Sequence, residues 1–248
     1  MNRTPSSTGV PMLVAEGLGK SFGANRVLHD LNFHVDEGEV LGVLGPNGAG
    51  KTTLFNLISG DHAPTSGSMR FDGQTLNADP PYKRAQMGIG RTYQIPMPFS
   101  KMTTFENLLV SAAFAGRRRE SETYDRCAAV LKDCDLMQHA NTPAGKLTLL
   151  DRKRLELARA LAPGPRLLLL DEIAGGLTSE EGRQLVDLIR RVRDQNVTIV
   201  WIEHVLHAVM AVASRMIVLN FGELIAEGAP RAVMDNPEVQ RVYMGIEA

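Results

Sequence analysis

The residues best equipped for chemistry form the run Gly45-Pro46-Asn47-Gly48-Ala49-Gly50-Lys51-Thr52, a Gly-x-x-x-x-Gly-Lys-Thr pattern followed by Thr53. Its glycines let successive backbone N–H groups curl around a phosphate with no Cβ in the way. Lys51 brings a point charge toward β- and γ-phosphates, and the Thr52 hydroxyl can ligate Mg²⁺. A second cluster is the acidic pair Asp171-Glu172, which closes the run Arg166-Leu167-Leu168-Leu169-Leu170. Asp171 is placed to hold Mg²⁺ through water, and Glu172 to accept a proton from an attacking water. Two carboxylates after an apolar run also suit a helix cap; beside a phosphate loop they read as phosphate chemistry.

Both clusters need particular elements to hold them. Residues 39–44 form a short apolar run suited to a buried strand, and 53–58 have the spacing of a buried helix. Strand, glycine loop and helix together put an anion at a helix N-terminus, where the macrodipole favours it. Four leucines without alternation predict a strand buried on both faces, as parallel sheets require. Ligands of open α/β sheets bind at the C-terminal ends of such strands. Before the glycine loop, residues 10–44 alternate short strand-like runs (13–15, 27–28, 31–35) with Gly and Asp turn signals, and 68–73 reads as an edge strand. From about 77 to 150 the pattern turns helical. Thr103 and Glu106 supply a capping box for a helix beginning at Asn107, and 124–136 is a second amphipathic helix. Alternation then resumes, with helices at 152–162, 179–194 and 205–213 and strands at 166–170, 197–202 and 215–219. A helical block inside an α/β core reads as an inserted subdomain.

With 248 residues, the chain can bury a substantial core. A formal net charge of -1 gives no basic footprint for nucleic acid. Cys127 and Cys134 fit neither a disulfide framework nor a metal site, and read as buried free thiols on one helix face. The polar first nine residues are unlike a secretory signal. No run approaches the roughly 18 apolar residues of a membrane span.

From about residue 12 onward the sequence resembles the ATP-binding subunit of an ABC transporter. The resemblance implies a P-loop NTPase (ABC-type) α/β core with an antiparallel β subdomain and an inserted α-helical subdomain. It divides the chain into a flexible N-terminus (1–9) and one ATPase domain (10–248). Within that domain 10–90 and 163–248 form the core, and about 91–162 form the helical subdomain. His204, ending Val197-Thr198-Ile199-Val200-Trp201-Ile202-Glu203-His204, matches the family's switch histidine, which holds the γ-phosphate and orients Glu172 and the water. The competing metal pair of His204 with His207 lacks the Glu of a His-Glu-x-x-His site. Gln94, in Arg91-Thr92-Tyr93-Gln94, matches the glutamine loop, which touches Mg²⁺ and reports the nucleotide state to the membrane subunit. Phe22 matches the aromatic that stacks on adenine, a buried core ring being the other reading.

The signature Leu-Ser-Gly-Gly-Gln, which meets ATP on the partner subunit, is here Leu147-Thr148-Leu149-Leu150-Asp151. Thr148 keeps the hydroxyl and Asp151 suits an N-cap. Leu149 and Leu150 are expected to turn into the helical subdomain, leaving Thr148 Oγ for the phosphate. Ile173 stands where proline follows Asp-Glu in the family, and Gly176-Leu177-Thr178 lacks the aspartate usual after the leucine.

Residues 222–228 and 236–245 resemble the C-terminus of branched-chain amino acid importer ATPases, a tail shared with urea and amide importers and the ATPase of lipopolysaccharide export. The resemblance implies ATP and Mg²⁺ as cofactors and a peripheral position on the cytoplasmic face of the membrane. It also implies a second ATPase subunit, identical or paralogous, and, indirectly, a periplasmic or extracellular solute-binding protein. Permease subunits would dock on residues 95–105, whose Ile95, Met97, Phe99 and Met102 suit a partner surface; core packing is the other reading. No nucleic acid partner is expected. The basic run Arg117, Arg118 and Arg119 reads as a solvated helix end. On this reading Lys51→Ala should abolish tight ATP binding while the fold survives, because a charge-assisted phosphate contact is lost. Calorimetric titration of the folded variant with ATP measures that loss.

Overall fold

A long antiparallel hairpin, β1 (Pro11–Phe22) and β2 (Asn25–Asp36), opens the chain, and β3 (Val40–Leu44) then runs fully buried into the glycine loop. The structure, a computed structural model, describes residues 11–115 and 120–244; the readings for 1–9 and for Arg117, Arg118 and Arg119 lie outside them. α1 (Lys51–Ser59) leaves the loop, and β4 (Ser66–Phe71) and β5 (Gln74–Thr75) complete a four-stranded antiparallel sheet, β2-β1-β4-β5. α2 (Pro81–Met87) and β6 (Ile89–Arg91) precede a block of three helices, α3 (Thr104–Ala115), α4 (Glu120–Asp133) and α5 (Leu149–Leu161). The α/β alternation then resumes through β7 (Leu167–Asp171), α6 (Ser179–Asp194), β8 (Thr198–Ile202), α7 (Leu206–Met210) and β9 (Arg215–Asn220). β10 (Glu223–Gly228), α8 (Pro230–Met234) and α9 (Pro237–Met244) follow. The second sheet has the order β10-β9-β3-β8-β7-β6, parallel except for β10.

This sheet separates two cores, which explains the leucine run. Successive side chains of a strand point to opposite faces. Leu167 and Leu169 join α1 and the antiparallel sheet in one apolar cluster, while Leu168 and Leu170 join α4, α5 and α6 in the other. Both faces are dry, so no polar alternation survives in the sequence. Cys127 and Cys134 are buried free thiols in the second cluster, and burial pushes Cys134 up to about 12.

Element boundaries differ from the sequence reading where caps decide them. α3 starts at Thr104, not Asn107, because Glu106 is its third residue: Thr103 N–H donates to Glu106 Oε2 (2.7 Å) and Glu106 N–H to Thr103 Oγ1 (3.1 Å). α5 starts at Leu149, with Thr148 as N-cap accepting from Asp151 N–H, so Asp151 occupies the first turn instead of the cap. The short runs of 10–44 are two twelve-residue strands broken by register shifts, and α7 is confined to Leu206–Met210. Among the described residues no helix is long and apolar enough to cross a membrane.

The far end of α1 is closed by Arg84, which is 1% exposed. Its guanidinium donates to the carbonyls of Leu57, Ile58, Leu76 and Asp79. Helix-terminal carbonyls left in a dry interior are costly. Arg84→Met should therefore destabilise the fold by about 3 kcal/mol, read as a lower urea midpoint at unchanged slope, and Lys should restore little because it lacks the planar fork.

Candidate active site

Where β3 ends, Gly45 adopts φ 153°, and a Cβ there would meet Leu219 O at 2.3 Å. Gly50 has φ 99° and is packed against the Leu28 side chain. These two glycines fix the loop's ends against β9 and β2. Lys51 is 6% exposed and folds under the loop, its Nζ donating to Gly45 O (2.7 Å) and Pro46 O (3.0 Å). Burial lowers its pKa, opposed by the nearby charges of Glu172 and Asp171. Asn47, Gly48 and Thr52 are exposed, Pro46 and Thr53 half-buried and Ala49 buried.

Because β6, β7, β8 and β3 run parallel, their C-terminal ends share one edge of the sheet. Asp171 ends β7, 5% exposed, with Oδ2 accepting from Arg91 (3.1 Å). Burial raises its pKa, with Arg91 pulling the other way. Glu172 has φ 45°, the left-handed region that a bulky residue rarely adopts, and its N–H donates to Ile202 O across to β8 (2.9 Å). The turn aims its carboxylate between two loops: Gln94 Nε2 donates to Oε2 (2.5 Å), and His204 Nε2 lies 2.6 Å from Oε1. Two residues far from it and from each other in sequence thus converge on one carboxylate. Phe22 sits at the hairpin tip, 44% exposed, edge-on to His62 at 5.1 Å and with Lys20 Nζ 4.9 Å from its centroid. It is not a core ring.

The signature segment is arranged differently from expectation. Thr148 Oγ1 both donates to Asp151 Oδ2 (2.8 Å) and accepts from Asp151 N–H (3.2 Å), so the hydroxyl is engaged in its own helix cap. Asp151 pairs with Arg154 at 3.2 Å and lies 3.7 Å from His139. Leu147 and Leu150 are buried, but Leu149 is 44% exposed and faces Gly176. Consecutive helical side chains point about 100° apart, and here Leu150 takes the inward direction while Leu149 does not. Among the described residues this segment makes no hydrogen bond to the phosphate loop.

Three charged residues were not assigned a role from sequence. Arg91 also donates to Asn56 Oδ1 (2.7 Å), Ser59 Oγ (2.8 Å) and Asp61 Oδ2 (3.0 Å), tying β6 to α1. Lys153, 2% exposed, donates to Gln94 O (2.7 Å), and so connects α5 to the glutamine loop. Glu203, also 2% exposed, accepts from Ala174 N–H (3.0 Å) and His204 N–H (2.9 Å), clipping the loop after β7 to the loop after β8. The available signal was position: Glu203 follows a buried strand, and Lys153 lies on the apolar face of α5 between Leu150 and Leu157, whereas Arg91 ends the short, half-buried β6 and carried no such signal.

A phosphate loop, an acidic pair and a histidine on one edge of a two-faced sheet, with a helical block inserted beside them, define a nucleotide-binding cassette. The chain belongs to the ABC transporter family, whose model matches residues 28–175. A second model, described as branched-chain amino acid ATP-binding cassette transporter, matches residues 223–248. The high-affinity branched-chain amino acid transport ATP-binding protein BraF of Pseudomonas aeruginosa is 38% identical, covering 95% of this chain and 98% of the relative. LivG of Escherichia coli gives the same identity and coverage, and the probable LivG of Archaeoglobus fulgidus is 31% identical over 95% of this chain. An ATP-binding cassette of an ABC transporter solved in its ADP conformation superposes with a TM-score of 0.88 at 28% identity, covering 96% of this chain and all of that one. The protein is accordingly an ATP-binding cassette with the ATPase activity of its family. Glu172→Gln should keep ATP binding but lower steady-state turnover by about a hundredfold or more, since general-base assistance is typically worth that much. Phosphate-release assays alongside ATP titrations separate the two.

Proposed function

We propose that this chain is the ATP-hydrolysing subunit of an importer for branched-chain or related amino acids, bound peripherally to permease subunits at the cytoplasmic face of the membrane. Lys51 exchanges its loop carbonyls for the β- and γ-phosphates, and Phe22 offers a ring face to the base. The donors suit Mg²⁺: Thr52 is exposed beside the loop, and Asp171 offers Oδ1, which has no hydrogen-bond partner among the described residues. Thr52, Asp171 and Gln94 would hold the ion, which neutralises developing phosphate charge when bound. Glu172 takes the proton of the attacking water, and His204 fixes the carboxylate and reaches the γ-phosphate. Thr148 and its neighbours at the start of α5 face the nucleotide of a second ATPase subunit.

One observation carries the membrane-partner reading. Ile95 and Met97 are 73% and 78% exposed, directly after Gln94, and Phe114 is 78% exposed across a groove of ≈ 330 Å³ that Tyr93, Phe99 and Arg159 also line. Whatever fills this groove sits one residue from the side chain that holds Glu172. Apolar exposure of this kind suits a protein partner. The amino-acid class is supported by the names of the relatives. Phe99→Asp should leave the ATPase activity of the isolated chain intact and abolish co-purification with the permease, because it buries an unpaired charge. In the assembled transporter, stimulation of ATPase activity by leucine through its binding protein supports the solute class; stimulation by urea alone would reassign it.

A further inference from the structure

The last described helix, α9, follows the α/β alternation, yet it reaches the phosphate loop. The Tyr243 hydroxyl oxygen accepts a hydrogen bond from Gly45 N–H at 2.5 Å, across 198 positions of sequence. Gly45 lies just past the sheet ladder: β3 pairs with β9 up to Leu44 and with β8 up to Val43. Its N–H therefore gains from the tail the partner that a neighbouring strand gives the preceding residues. The Tyr243 ring is half-buried against the cluster that contains Leu44, Val218 and Val239, and Val239 seats α9 with no exposure. Asn236 caps the helix through Glu238 N–H (2.9 Å), and Gln240 Nε2 donates to Met234 O (3.1 Å). The tail is thus built to hold the phenol in one place. Burial raises its pKa, keeping it neutral at physiological pH.

Gly45 is also the residue whose carbonyl holds the resting Lys51 ammonium. Binding a nucleotide draws Lys51 toward the phosphates and frees that carbonyl, while the N–H side of the same residue stays tied to the tail. A loop already fixed at its entry has less conformational freedom to lose when phosphates arrive. We propose that Tyr243 is a positioning residue for the phosphate loop, and that α9 sets the loop's affinity for ATP through this single bond. The inference depends on the ATP site and not on which solute is transported.

Tyr243→Phe removes the hydroxyl and keeps the ring, so packing is preserved. For the full-length chain, the Kd and KM for ATP should rise about two- to tenfold, the range of one net hydrogen bond, with kcat within about twofold of wild type. The Gly45 amide proton should shift upfield in the ¹H–¹⁵N spectrum and exchange faster, a signature that generic destabilisation elsewhere would not produce. Val239→Ala, which loosens α9 but retains the hydroxyl, should lower Tm while raising KM less than Tyr243→Phe does. An unmoved Gly45 resonance with unchanged KM in Tyr243→Phe overturns the proposal. So does an equal rise in KM in Val239→Ala, which would make the effect one of helix docking alone.

Discussion

Burial of the parallel strands on both faces is the constraint from which the active site follows. β3, β7 and β8 are buried along their length and apolar in their interiors, so the sheet offers polar chemistry only at its edges and ends. Their common direction gathers the ends of β3, β7 and β8 at one edge, where Gly45, Asp171 and Glu203 emerge. Their backbones are held in the same ladder, so small relative movements of the loops are resisted by a rigid base. The strained φ of Glu172 persists for this reason: its N–H is held by Ile202 O, and the following turn is closed by Gly175 N–H to Glu172 O (3.2 Å).

Charge at this edge is balanced inside the protein. Lys51 is held by carbonyls, Asp171 by Arg91, and Glu172 by Gln94 and His204. A buried ion without partners would be expensive, and these contacts offset that cost within the chain. ATP and Mg²⁺ would compete for the same groups, so binding exchanges one set of partners for another. Such an exchange would reach the neighbouring loops, since Arg91 anchors to α1 and Gln94 leads into the exposed apolar stretch.

The helical block is coupled to this edge through few polar contacts. Lys153 Nζ on Gln94 O joins α5 to the glutamine loop, and Arg159 reaches Met97 O (3.1 Å) while its guanidinium lies 5.3 Å from the Phe99 centroid. The start of α5 is self-capped by Thr148 and Asp151, and the exposed Leu149 side chain beside that cap abuts Gly176. The helix's N-terminal N–H groups keep the helix-dipole direction.

The strand, glycine loop and helix around residues 45–52 were legible in the sequence because they are contiguous: β3, the eight-residue run and α1 follow one another directly. The buried strand of β7 was equally legible, since burial on two faces removes alternation from the sequence itself. The extent of α6 was legible too, with Thr178 and Glu181 forming a local capping box. The starts of α3 and α5 were misplaced by three residues: the Thr103–Glu106 capping box itself puts the start of α3 at Thr104, whereas Thr148 and Asp151 both suit the cap of α5 and only the Asp151 N–H contact to Thr148 decides between them. What only the tertiary structure decided are contacts between distant residues: Gln94 and His204 on opposite oxygens of Glu172, Arg91 on Asp171, Lys153 on the glutamine loop and Tyr243 on Gly45. Each depends on which strands lie side by side. Sheet order is set by packing the whole chain at once, and no local pattern of residues encodes it.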